Sequence, residues 1–69
     1  MTNTKLLNDE IEKSGFKREW IAKQCNITRA ALFSKINNES EFKASEICRL
    51  TQILGLSNSQ RDLIFLTDM

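Results

Sequence analysis

The chain contains no proline and only two glycines, Gly15 and Gly55, each directly after a stretch whose apolar residues recur at helical spacing. That punctuation constrains the fold more than any other feature. No helix is broken by a residue lacking an N–H, and glycine ends one readily because it enters the left-handed conformation without a Cβ penalty. A first helix is predicted over about residues 4–14, with Leu7 and Ile11 four apart and Leu6 beside them. A second is predicted over about 18–25, with Ile21, Ala22 and Cys25 along one face. Asn26 tolerates the left-handed conformation, so Asn26-Ile27-Thr28 reads as a tight turn with Thr28 capping a third helix over about 29–36, whose inner stripe is Leu32 and Ile36.

The polar run Asn37-Asn38-Glu39-Ser40-Glu41 is a loop. Phe42 restarts the apolar pattern, and a fourth helix over about 44–54 buries Ile47, Leu50 and Leu54. Ser57 and Gln60 are spaced as a capping box for a last helix over about 58–66. No segment alternates with period two long enough to require a strand, although Leu63-Ile64-Phe65-Leu66 is ambiguous by itself. The expected fold class is all-α: one compact five-helix domain over residues 1–69. A chain of 69 residues buries only about 60% of its unfolded surface, so its core must be small and local.

Composition narrows the chemistry. Histidine and tyrosine are absent, and Cys25 and Cys48 stand without paired spacing or neighbouring ligands, which removes the usual zinc sites and the commonest general bases. Cys25, on a buried face, and Cys48, beside Ile47, are most simply packing residues. Asp9, Glu10 and Glu12 share a helix with Lys5 and Lys13 and form a solvated face. No catalytic arrangement, metal site or cofactor is expected, and the chain is not read as an enzyme. No apolar run approaches the roughly 20 residues of a membrane span, and Met1-Thr2-Asn3-Thr4 lacks the basic and apolar regions of a signal peptide. A cytoplasmic protein with reduced thiols is the expectation.

The net charge of +1 conceals an uneven distribution. Within residues 13–35, Lys13, Lys17, Arg18, Lys23, Arg29 and Lys35 are set against Glu19 alone, whereas from residue 36 onward Glu39, Glu41, Glu46, Asp62 and Asp68 outnumber Lys43, Arg49 and Arg61. A local anion-binding surface fits that pattern better than a uniformly cationic protein, although the same lysines can simply solvate helices. Lys17 and Arg18, at the start of the second helix, oppose the helix dipole at roughly 0.3–1 kcal/mol each, whereas an incoming anion would be welcomed by dipole, amides and side chains together. A backbone phosphate is the natural anion. Asn38 and Lys43, flanking the loop after helix three, are candidates for a second phosphate, and Lys35 for another while its stem packs.

Residues 18–38, REWIAKQCNITRAALFSKINN, place two short helices at a three-residue turn, with small Ala22 where the helices cross and Leu32 facing it. This is a helix-turn-helix on physical grounds, over about 18–37, although a structural helical hairpin can use the same pattern. It resembles the lambda-repressor-like class, particularly the small Cro-like and repressor-like proteins of temperate phages of Gram-positive bacteria. The likeness rests on Ile21-Ala22, the turn Asn26-Ile27-Thr28, Leu32, the exit Ile36-Asn37-Asn38 and the ending Ile53-Leu54-Gly55-Leu56-Ser57. Asn26 stands in for the usual turn glycine, Lys17 for a serine or threonine cap, and Lys35 for a core aliphatic, with Ile36 taking over that position.

The resemblance implies that helix three enters the major groove of operator DNA. Its outer face would carry Arg29, Ala30, Phe33, Ser34 and Asn37 as base readers. Arg29 can bond guanine O6 and N7 together, Ser34 or Asn37 can bond base edges, and Ala30 or Phe33 can touch a thymine methyl. A sequence-specific regulator of Cro type in a phage lysis/lysogeny switch, pairing as a homodimer on a palindromic site, is the leading expectation. The alternative is an antirepressor that binds the phage repressor protein. Near-neutral charge, Trp20 off the Ile21-Ala22-Cys25 face, and Ala30 and Phe33 on the reading face favour it, although the simpler expectation for Trp20 is packing against helix one or four. In the last helix, Leu63 and Leu66 are expected to pack inward. That leaves Ile64 or Phe65 outward as a self-association or repressor-binding patch, unless Thr67-Asp68-Met69 folds back over it.

Overall fold

Asn3 starts the first helix. Its extended backbone lets its Oδ1 accept the Leu6 N–H at 3.1 Å, which satisfies one of the orphan donors of the first turn. In the computed structural model, which describes residues 1–66, helix α1 then spans Thr4–Ser14 and stops at Gly15, whose φ of +74° glycine adopts without a Cβ penalty. Helices α2 (Arg18–Gln24), α3 (Arg29–Ile36), α4 (Ala44–Leu54) and α5 (Asn58–Phe65) follow, and there is no strand among the described residues. The all-helical, five-helix expectation is met. Cys25 and Leu66, predicted inside helices, are instead the C-caps of α2 and α5.

Local chemistry sets these boundaries. Thr28 Oγ1 accepts the Ala31 N–H at 3.0 Å, and Ser57 and Gln60 exchange both bonds of a capping box. Two asparagines do what glycine does elsewhere. Asn26 (φ +63°) ends α2, with its N–H on Lys23 O and the next N–H, from Ile27, on Ala22 O. Asn38 (φ +64°) ends α3 in the same way, its N–H on Lys35 O and that of Glu39 on Ser34 O. Both are Schellman closures with asparagine at the left-handed position.

The core joins all five helices: Leu7 and Ile11 from α1, Ile21 and Ala22 from α2, Leu32 and Ile36 from α3, Leu50 from α4, Ile64 and Phe65 from α5, with Cys25 and Leu56 from the connections. Helix α1 touches α3, α4 and α5, while α2 packs on α3 and α4. This arrangement leaves the outer sides of α2 and α3 together at one surface. No helix is long and apolar enough to cross a membrane among the described residues.

Two placements in this core correct the sequence-based expectation. In α5, Ile64 and Phe65 are buried, whereas Leu63 and Leu66 are 55% and 64% exposed. The physical reason is Phe42: its ring meets that of Phe65 edge to face at 5.4 Å, so the inward face of α5 is the one opposite Leu63 and Leu66. Ile64 and Phe65 therefore form no surface patch, and the proposed cover, Thr67-Asp68-Met69, lies outside the described residues. Cys48, expected to pack, is exposed on α4, while Cys25 is buried. Burial raises the Cys25 thiol pKa, helped by the charge of Glu46 and opposed by Arg49 and Lys35.

Candidate nucleic-acid interface

Leu32 and Ile36 are buried, so the opposite face of α3 is fixed outward. Arg29, Ala30, Phe33 and Asn37 are exposed along it and Ser34 is half-buried. Phe33 is the conspicuous member, an aromatic ring 63% exposed near the middle of a short helix. The Asn37 side chain turns back, its Nδ2 donating to the Phe33 carbonyl at 2.9 Å.

Beside this face lies the start of α2. Lys17 makes no side-chain capping bond, which leaves its cation at the surface. Lys17, Arg18, Glu19 and Arg29 line one recess of about 350 Å³. Arg29 thus stands with Lys17 and Arg18 at the start of α2, its guanidinium 3.9 Å from the exposed carboxylate of Glu19. Exposed to that degree, the ion pair is weak and leaves Arg29 accessible to an anion. A second cleft, of about 370 Å³, runs from Asn8 and Arg18 past Arg29 to Phe33 and Asn37, floored by Leu32 and Ile36. The cationic corner and the outer face of α3 form one continuous surface.

Two of the expected phosphate ligands are engaged elsewhere. Lys35 points inward: its Nζ donates to both carboxylate oxygens of Glu46, at 2.6 and 2.9 Å, with the side chains only 12% and 6% exposed. Burial would raise the Glu46 pKa, but the Lys35 hydrogen bond, the backbone N–H of Lys43 and the charges of both lysines together hold it below its ordinary value. Asn38 is likewise occupied. Its Oδ1 accepts the Thr2 N–H at 2.8 Å and its Nδ2 donates to Thr2 O at 2.9 Å and, more loosely, to Thr4 Oγ1 at 3.4 Å. The Thr4 hydroxyl donates to Ile36 O, and the Asn3 N–H to Ile64 O, both at 2.6 Å. The N-terminal segment is thereby clasped to the ends of α3 and α5, and Lys35 and Asn38 both have their polar groups bonded within the chain. Lys43 remains exposed at the start of α4.

Trp20 is 40% exposed and stacks on Phe16 at 4.6 Å, tilted by 40°. Its groove, lined by Lys17, Ala22, Lys23, Ile27 and Arg29 among others, measures about 430 Å³. Sequence patterning missed Phe16 as the partner of Trp20, although the i, i+4 spacing was present. It also missed Glu46, whose place three residues after Lys43 is the capping-box position, obscured because lysine is no cap. No protein-family model, curated protein or solved structure matches the chain.

Proposed function

We propose that this chain is a helix-turn-helix domain of the lambda-repressor-like class, acting as a Cro-type regulator that binds operator DNA in a phage lysis/lysogeny switch. The observation carrying this reading is the single surface on which the outer face of α3 adjoins Lys17, Arg18 and Arg29. A helix of eight residues flanked by cations fits a major groove bordered by phosphates. The α3 face offers Ala30, Phe33, Ser34 and Asn37 to the bases, Lys17, Arg18 and Lys43 serve phosphates, and Arg29 stands where the two sets meet. One such domain makes few contacts, so two copies act on a palindromic site with half-sites about 34 Å apart. Selection of duplexes from a random pool, followed by titration of selected and unselected DNA, tests the reading. A preference for the selected duplex of about a thousandfold or more is expected. Equal binding to all duplexes, or none, would refute it.

The exposed rings of Phe33 and Trp20 favour a second reading, an antirepressor that binds the phage repressor protein. Its signature would be a complex with that repressor, without selected DNA, that Trp20→Ala weakens.

A further inference from the structure

Within the proposed DNA-binding surface, α3 carries two different kinds of group. Its N-terminal residue, Arg29, shares a recess with Lys17 and Arg18 and lies toward Glu19 of α2. Its centre is apolar: Ala30 and Phe33 are three apart on one face and both exposed. The only amide on that face, Asn37, has its Nδ2 engaged with the Phe33 carbonyl. Ser34, beside them, is half-buried. Phe33 and Arg29 line the same cleft together with Arg18, so whatever covers the ring must also accept cations around it. A polyanion that presents apolar groups on the floor of a groove has those properties.

We propose that base discrimination by this domain is carried chiefly by Phe33 with Ala30, through the 5-methyl groups of one or two adjacent thymines, while Arg29 joins Lys17 and Arg18 on the phosphate backbone. The inference rests on the DNA-binding reading above. Thymine is the one base with an apolar substituent in the major groove, and alkyl or aromatic contact with it distinguishes T from C without a hydrogen bond. The ring is too exposed to be needed for folding, and burying it against methyl groups removes apolar surface from water on both sides. Arg29, in one recess with Lys17 and Arg18, contributes to every sequence equally.

Duplexes selected by the intact protein from a random pool are resynthesised with deoxyuridine for thymidine at one position at a time, which deletes only the methyl. The expected result is one or two adjacent positions in each half-site where the wild type loses about fourfold per methyl, the worth of one buried methyl-sized group. Phe33→Ala should bind the thymidine duplex more weakly and no longer register the substitution. Arg29→Ala should weaken selected and unselected duplexes by the same factor while keeping the deoxyuridine effect. Matching thermal melts of the variants keep folding out of the comparison. If deoxyuridine is neutral at every position while selected duplexes are still preferred, the methyl contact is wrong and the DNA-binding reading stands. If the pool yields no preferred duplex, both fall. A Phe33→Ala protein with wild-type discrimination would assign the ring to a protein partner and overturn the proposal.

Discussion

Lys35 and Glu46 show how a side chain's meaning depends on what faces it. A lysine next to Ile36 on a short basic helix reads as a surface cation, because nothing local reveals a carboxylate eleven residues later that folds against it. Both oxygens of that carboxylate accept from Lys35, and Oε1 also accepts the Lys43 N–H at 2.8 Å, so Glu46 caps α4 and anchors α3 at once. Removing one partner strands the other: Lys35→Met should lower unfolding free energy by about 3 kcal/mol, and Lys35→Met with Glu46→Leu should recover most of that loss. Urea titrations of the singles and the double measure the coupling, and additive losses would deny it. The acid dependence has a defined sign. Because folding lowers the Glu46 pKa, its stabilisation is present above the ordinary value of 4.5 and disappears as pH falls through the lower folded value. In Lys35→Met that acid-side loss should shrink, since burial then opposes ionisation with less to offset it.

At the level of elements, helix starts and stops were legible because they are written in adjacent residues: Thr28 and Ser57 as caps, Asn26 and Gly55 as left-handed ends. Asn38 belonged to the same class but was masked by a run of turn-forming residues that offered several equivalent stops. Rotation of a helix about its axis is a different matter, fixed by neighbours remote in sequence. Four apolar residues from 63 to 66 span nearly the full circumference of α5, so periodicity leaves its inner face undetermined. Phe42 decides it by taking Phe65. The same difference explains the site: the outward face of α3 followed from Leu32 and Ile36 pointing in, whereas the engagement of Lys35 and Asn38 depended on α4 and Thr2. Phe65→Ala should therefore cost about 3–5 kcal/mol, a large share of the stability of so small a domain. Leu63→Lys, at an exposed position, should stay within about 0.5 kcal/mol. Chemical denaturation of the two variants separates them, and a reversed order would mean that α5 is rotated.

For the whole molecule, a net charge of +1 understates what a polyanion would meet, because the charges are sorted in space. Acidic Glu46 is spent on Lys35, and Lys13 lies against Glu10 at 3.4 Å on α1. Lys17, Arg18 and Arg29 share one recess, and Lys43 stands exposed beyond α3. With each of these four cations neutralising one phosphate, the logarithm of the association constant should fall with the logarithm of salt concentration at a slope of about −3.6 for one domain and about −7 for two on a palindrome. Had Lys35 also reached the backbone, the pair would give about −9. Binding measured from low to moderate salt distinguishes these values, and sedimentation of the same mixtures fixes the number of domains per duplex. Lys17→Ala should flatten the slope by about one unit per bound domain, equally on selected and unselected DNA. A flat salt response would place the target among proteins instead, since neutral apolar anchors such as Trp20 and Phe33 release no condensed ions when they are covered.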